Sequence, residues 1–382
     1  MIQHLATRRQ SPGTTAIVFS GDVILDVPRP DHWLAGIAPA LKAADLAVGH
    51  LEVPHTLSQH ELAGDVPAPG ADPAHLAALK RAGFSAMTLA GNHIADCGAQ
   101  GIADTIAELD KLNIRYAGAG ASLAQARTPL LLAAPDGRRL GVLSYNCVGP
   151  EAAWATASRA GCAYLPVETV DGSSPAPAAR YAIPTPQCAE WLCADIAALR
   201  KSADLVAVAL HKGTVHTPAT IEDYERTLAQ VAIDAGADLV IGHHAHIVRG
   251  IEFHRGKPIF HGLGNGCVVT HALAPDQDHP ARAAWAQRRK ELFGFEPDPA
   301  FTLAPFHPEA INAFLARVEW QADGSLVCGI VPVTVDAPGR PRLANIPEAA
   351  RICAYLQRIT REAGLPPLRM TPRANMVEVH EQ

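Results

Sequence analysis

The chain has 382 residues, 48% hydrophobic and 18% charged, enough apolar material for one large α/β domain or a domain with an accessory piece. A formal net charge of −6, with no basic block longer than Arg288-Arg289-Lys290, argues against nucleic acid as a partner. No run approaches the roughly 18 apolar residues of a spanning helix, and Met1 to Pro12 has no apolar segment behind Arg8-Arg9, so the expectation is a cytoplasmic protein without a membrane partner.

Ala16-Ile17-Val18-Phe19 is predicted as a strand ending in Ser20-Gly21-Asp22. Trp33 to Ala44 reads as a helix, and Asp45 to Val48 as a strand leading into Gly49-His50-Leu51-Glu52. After a Pro-, Gly- and His-rich loop, Pro73 to Gly83 is predicted helical, with Asp72 as N-cap and Gly83 at its end. Ser85 to Leu89 is a strand running into Ala90-Gly91-Asn92-His93. Gly101 to Leu112 has helical periodicity, and Ile114 to Ala117 reads as a short strand. Pro129 to Ala133 and Leu140 to Tyr145 flank Pro135-Asp136-Gly137 as a hairpin. The segment 150–186 lacks a period and is a candidate lid, because long irregular loops in compact domains are usually functional.

A helix from Gln187 to Lys201 precedes the strand Leu205 to Leu210, which ends in His211. A second helix, Tyr224 to Ala235, precedes Leu239-Val240-Ile241 and the loop Gly242-His243-His244-Ala245-His246. Val248 to Phe253 and Pro258 to Phe260 form a further hairpin. Beyond an insertion at 274–308, with an amphipathic stretch from Ala281 to Phe293, come strands Ala313 to Trp320 and Leu326 to Val331 and a final helix from Pro347 to Ala363. Alternating strands and helices, followed by hairpins, predict an α/β fold with antiparallel strands at one side. The eight cysteines are scattered with no CxxC pair, so they read as reduced, mostly buried small apolar residues.

Five predicted strand ends carry polar residues suited to a cation: Asp22, Glu52, Asn92 with His93, His211, and the histidine loop. Ligand crevices in open α/β sheets lie at the carboxyl ends of strands, so these residues can converge although far apart in sequence. Carboxylate and amide oxygens mixed with imidazoles suit Zn, Mn or Fe, as one or two divalent ions. Individually each has a plainer reading: a Gly-Asp turn, an Asn satisfying a turn, a hydrogen-bonded core histidine. The three imidazoles after an apolar strand are hardest to explain without a ligand.

Phe19-Ser20-Gly21-Asp22, Leu51-Glu52, Ala90-Gly91-Asn92-His93 with Asp96 and Gly98, and the run from Ile233 to His246 together resemble the CapA (poly-γ-glutamate capsule biosynthesis) family. Gly256 to Phe260 and Leu263-Gly264-Asn265 add to the likeness. That family is similar to the calcineurin-like metallophosphoesterases, which implies a two-sheet αββα sandwich with, here, a small C-terminal extension. The expected organisation is a disordered tail at 1–14, a metallohydrolase domain at 15–335, and an extension with a helix at 336–382. By resemblance, Asp22, Asn92, His211, His244 and His246 are metal ligands, with His243 as alternative to His244. Glu52 takes the place of the bridging carboxylate, and His93 that of the histidine that stabilises or protonates at the transition state.

The pattern Asp-x-His of phosphoesterases reads Asp22-Val23-Ile24 here. Lys212 stands where the family often has Trp, His50 where it often has Asn before Leu-Glu, and His261 where an aromatic residue usually precedes Leu-Gly-Asn. Lys212, His216, His50, His261 and Arg249 are therefore the expected substrate-binding residues. Asp96 is expected to orient His93, or else to cap the helix that follows. The mechanism expected is attack by metal-bound hydroxide, since a bound divalent ion lowers the pKa of water to near 7. An amide or γ-glutamyl-like bond in a carboxylated small molecule or peptide is the first reading of the substrate. A phosphoester is the alternative, and a non-catalytic metal-binding role in capsule polymer synthesis the third. Homo-oligomerisation is compatible with all three.

Overall fold

The computed structural model describes residues 13–62, 68–176, 179–274 and 278–382. Two large sheets face one another. In the first, the strands Asn265–Val269, Thr15–Leu25, Leu46–Leu51, Ala86–Thr88 and Arg115–Ala117 run parallel. Antiparallel strands Asn312–Trp320 and Leu326–Asp336 extend it from the first half of Thr15–Leu25, on the side opposite Leu46–Leu51, where Asn265–Val269 pairs with the second half. The second sheet has Arg139–Asn146, Leu205–His211, Leu239–His243 and Lys257–Phe260 in parallel. Antiparallel hairpin partners Leu130–Ala133 and Ile251–His254 close its two edges.

Strand residues alternate faces, and both faces of the parallel strands are apolar. Ile17, Phe19, Val48, Val142, Ala207, Ile241 and Phe260 bury together in the core between the sheets. Val18, Ala47, Val206 and Val240 belong to a second core built with helical residues such as Leu79, Leu192 and Leu228. Helices therefore cover both sheets, and the architecture is an αββα sandwich. Among the described residues, no helix is long and apolar enough to cross a membrane. All eight cysteines are free, and most are buried.

Several predicted elements differ from the observed ones. The helix expected from Trp33 to Ala44 is two short helices, Pro30–Leu34 and Ala38–Lys42. The break at Gly36 lies against Pro341 and Arg342, where a Cβ would come within 2.2 Å of the Pro341 carbonyl oxygen. The helix after Asp72 opens as a 3-10 turn, Pro73–Leu76, before Ala77–Ala82, and Asp72 accepts from Ala74 N at 2.8 Å. The first strand does not stop before Asp22 but continues to Leu25.

The expected tail, residues 1–14, falls outside the described residues except for Gly13 and Thr14, whose Oγ1 donates to Gln321 at 2.9 Å. Segment 150–186, described apart from 177 and 178, buries Trp154, Ala155 and Leu165 and pairs Gly161–Cys162 with Ala119–Gly120. The C-terminal residues carry the helix Ile346–Glu362 and join the first sheet itself, because Leu368–Pro372 pairs with Val377–Glu381, which pairs with Leu326–Asp336.

Candidate metal centre

Asp22 sits where the pairing of its strand slips, with register breaks toward both parallel neighbours. Its partners across the sheet are His50 on one side and Asn265 on the other, and His50 in turn pairs with Thr88. On the facing sheet, His211 and His243 are register partners at the ends of their strands. The loop beyond His243 turns sharply: His244 and His246 have φ of 86° and 52°. Left-handed backbone at non-glycine residues costs of the order of 1 kcal/mol each and gathers at functional sites.

These ends meet. Asp22, His50 and His211 form one group and Asp22, Glu52 and His246 another, the ligand atoms of each lying within 4.8 Å of one another. His211 Nε2 lies 2.8 Å from Asn92 Oδ1 and 3.1 Å from His244 Nδ1. His246 Nε2 lies 3.1 Å from Glu52 Oε1, and His243 Nδ1 3.2 Å from Asp22 Oδ1. Both His243 and His244 thus border the cluster. Asp22 is the carboxylate common to both groups, and Glu52 belongs to the second.

Burial by itself raises the pKa of Asp22, but contact with His243 and the charges of His246 and His50 outweigh it and hold the carboxyl well below its usual range. Burial, reinforced by neighbouring histidines, pushes His50 and His244 down to about 3 and His211 well below its ordinary value. His246 goes the other way: Glu52 and Asp22 overcome the burial penalty and raise it to about 9. Burial thus favours neutral His50, His211 and His244, the form a cation requires, whereas His246 would have to release its proton to bind one.

Asp22 Oδ1, both Glu52 oxygens, His50 Nε2, His211 Nδ1, His243 Nδ1 and His244 Nε2 are buried without an aligned hydrogen-bond partner. One such atom costs about 1–3 kcal/mol, so their concentration at a single place fits a bound cation that satisfies them. Mixed oxygen and imidazole donors suit Zn, Mn or Fe.

His93 and Asp96 stand beside the cluster. His93 Nδ1 lies 2.7 Å from Asp96 Oδ2, which also accepts from Ala68 N at 2.6 Å. Asp96 does not cap the following helix, Gly98–Lys111, whose N-cap is Cys97. Its Oδ2 faces the His93 imidazole instead. A pocket beside them is lined by Glu52, His93 and His246, by apolar Ile24 and Phe306, and by Arg282. Arg282 comes from the helix Pro280–Phe293, so the insertion supplies part of the wall.

The expected substrate anchors are mostly placed elsewhere. Lys212 and Arg249 are fully buried and bound to Glu225, with Lys212 Nζ at 2.9 Å and Arg249 Nη1 at 2.7 and 2.8 Å. His261 is buried beside Lys212 Nζ at 3.2 Å. These three face an internal ion cluster because Glu225 neutralises the cations there, and none lines the pocket. His216 is buried against Phe293, Phe295 and Phe306, with its ring centroid 6.3 Å from that of His246. His50 is fully buried, its ligand atom is grouped with those of Asp22 and His211, and it does not line the pocket.

Two positions beside the cluster carry no role in the sequence reading. Asn265 Oδ1 accepts from His246 Nδ1 at 2.9 Å, leaving Nε2 toward Glu52. Its Leu-Gly-Asn motif was visible but carried no role. Arg282 had no distinguishing signal among the arginines of its amphipathic stretch.

The bacterial capsule synthesis protein family PGA_cap matches residues 16–268. The PGA biosynthesis protein CapA of Bacillus subtilis (strain 168) is 29% identical over 230 residues, 60% of this chain and 54% of that one. A probable polyglutamine synthesis accessory protein of Mycobacterium tuberculosis is 34% identical over 179 residues, 46% of this chain and 43% of that one. The chain thus spans about half the length of these curated relatives. A calcineurin-like phosphoesterase of solved structure from Bacillus subtilis overlaps 92% of this chain and 98% of that one, at 12% identity and a TM-score of 0.37.

Proposed function

The chain belongs to the bacterial capsule synthesis protein family PGA_cap, and from that premise we propose that it is a metal-dependent hydrolase of an amide or γ-glutamyl-like bond in a carboxylated small molecule or peptide. The observation that carries this reading is the set of buried carboxylate and imidazole atoms without an aligned hydrogen bond, gathered from the strand ends of both sheets. Asp22, Asn92, His211 and His244 would hold one divalent ion, and Asp22, Glu52 and His246 a second. Such ions supply a water acidified to a pKa near 7 and stabilisation of negative charge.

The chain's own residues do the rest. His93, held by Asp96, is placed in the pocket to deliver a proton to the leaving amine. Ile24 and Phe306 line the pocket as its apolar wall, and Arg282, paired with Glu61 at 3.1 Å, brings positive charge to it. The names of the relatives, PGA biosynthesis and polyglutamine synthesis, support a glutamyl substrate. Against a phosphoester stand Ile24 at the usual histidine position and a single Arg or Lys, Arg282, among the described residues lining the pocket.

The purified chain, loaded with Mn or Zn, is assayed on γ-glutamyl amides and on phosphomonoester and phosphodiester chromogens. Amine release that His211→Ala abolishes, with the esters untouched, is the expected result. Ester turnover without amide turnover replaces this reading with a phosphoesterase. Full metal occupancy with no turnover of either class points instead to a non-catalytic metal-binding role in polymer synthesis.

A further inference from the structure

We propose that His50 is itself a metal ligand through Nε2, and that it makes the Asp22–His50–His211 side the tighter of the two cation positions. The inference rests on the metal-dependent reading above and adds to it a residue that stands at the place of a family asparagine.

The argument starts from the proton on the ring. Thr88 Oγ1 donates its one proton to the Gly49 carbonyl at 3.2 Å. The same oxygen lies 3.0 Å from His50 Nδ1. With its proton spent on Gly49, Thr88 can only accept from the ring, so Nδ1 carries the hydrogen and Nε2 presents a lone pair. The opposite tautomer would strand a buried N–H on Nε2 with no acceptor, a cost of about 1–3 kcal/mol. An outer-shell partner that fixes tautomer and ring orientation is the usual companion of a ligating histidine.

The lone pair faces the right neighbours. His50 is fully buried, Nε2 has no protein partner, and its ligand atom is grouped with those of Asp22 and His211. Its ring stacks on His243 with centroids 4.6 Å apart and lies 4.8 Å from that of His211. Gly91 makes the approach possible: a Cβ there would come within 3.0 Å of His50 Nε2 and 3.3 Å of His211 Cε1. The room at Gly91 is filled by the two imidazoles.

The two groups then differ in softness. One has two imidazoles and a carboxylate, the other two carboxylates and one imidazole. Imidazole-rich positions favour Zn or Fe(II), oxygen-rich ones Mn or Mg.

The test compares zinc affinity, by competition with a chromogenic chelator, and the visible spectrum of the Co(II)-loaded chain. Wild type is set beside His50→Asn and Thr88→Val. Thr88→Val removes only the outer-shell partner, and a loss of roughly 10–100-fold in the tighter affinity is expected. His50→Asn is expected to lose more and to change the Co(II) bands. Should either variant fail to fold, ring-nitrogen NMR of the wild type decides. Metal-free protein is expected to show His50 protonated at Nδ1, with Nε2 shifting on zinc addition. Wild-type affinity and spectrum in folded His50→Asn, or an Nε2–H tautomer, overturns the proposal alone. A wild-type chain that takes up no divalent ion overturns both this proposal and the reading beneath it.

Discussion

His211 and Lys212 are consecutive and both buried, yet their surroundings treat polar atoms in opposite ways. Lys212 Nζ and Arg249 Nη1 both donate to Glu225, whose Oε1 also accepts from Glu222 N at 3.0 Å. Burial alone would raise the pKa of Glu225, but Arg249 and Lys212 outweigh it and hold the carboxyl at about 2. Across the strand, Asp22 Oδ1, His50 Nε2, His211 Nδ1 and His244 Nε2 are buried without an aligned hydrogen bond, although Asp22 and Glu52 lie within ion-pair reach of His243 and His246. Both regions bury several titratable groups at strand ends, so burial does not separate structure from site. The pairing of the carboxylates does: both Glu225 oxygens are hydrogen-bonded, with only Arg249 Nε and His261 Nε2 left over in the ion cluster, whereas the histidine cluster leaves carboxylate oxygens as well as imidazole nitrogens for something the protein does not supply.

Three experiments can break or sharpen that contrast. The largest effect is expected from Glu225→Ala, which strands two buried cations. Breaking a buried pair by removing one partner costs about 3–5 kcal/mol, to be read from chemical denaturation, with metal content per folded chain unchanged. A cost under about 1 kcal/mol would mean the cluster is not structural and the contrast fails. Next comes metal removal. With free zinc at about 100 times the dissociation constant, the loaded chain is expected to be more stable than the chelated chain by about 2.7 kcal/mol. An unfolding midpoint that ignores both zinc and chelator would place the histidine cluster with the ion cluster, as closed structure. The smallest effect belongs to Asp96→Asn. Loss of an orienting carboxylate is expected to lower turnover by roughly 10–100-fold while leaving zinc affinity as it was. Equal losses in turnover and zinc affinity would make Asp96 a support of the whole cluster and not of His93.

Local pattern made much of this readable. Apolar runs at Ala16–Phe19, Leu205–Leu210 and Leu239–Ile241 are strands in the structure, and each leads to a residue of the site or its loop. Val377-Glu378-Val379-His380 alternates and opens a strand, Val377–Glu381, but four alternating residues are too short a signal to stand alone. The Trp33 to Ala44 helix was misjudged because its break depends on contact with Pro341 and Arg342, some 300 residues away in the chain.

Residue types and their position after apolar strands determined that Asp22, Asn92, His211 and the histidine loop would gather, because parallel strands deliver their ends to one edge. Partnership was beyond that reach. Whether Lys212 and Arg249 face a substrate or Glu225, and whether His50 is a bystander or a donor, turns on side chains from other strands and helices meeting within about 3 Å, the span of one hydrogen bond. Only the packing of the two sheets brings those groups together.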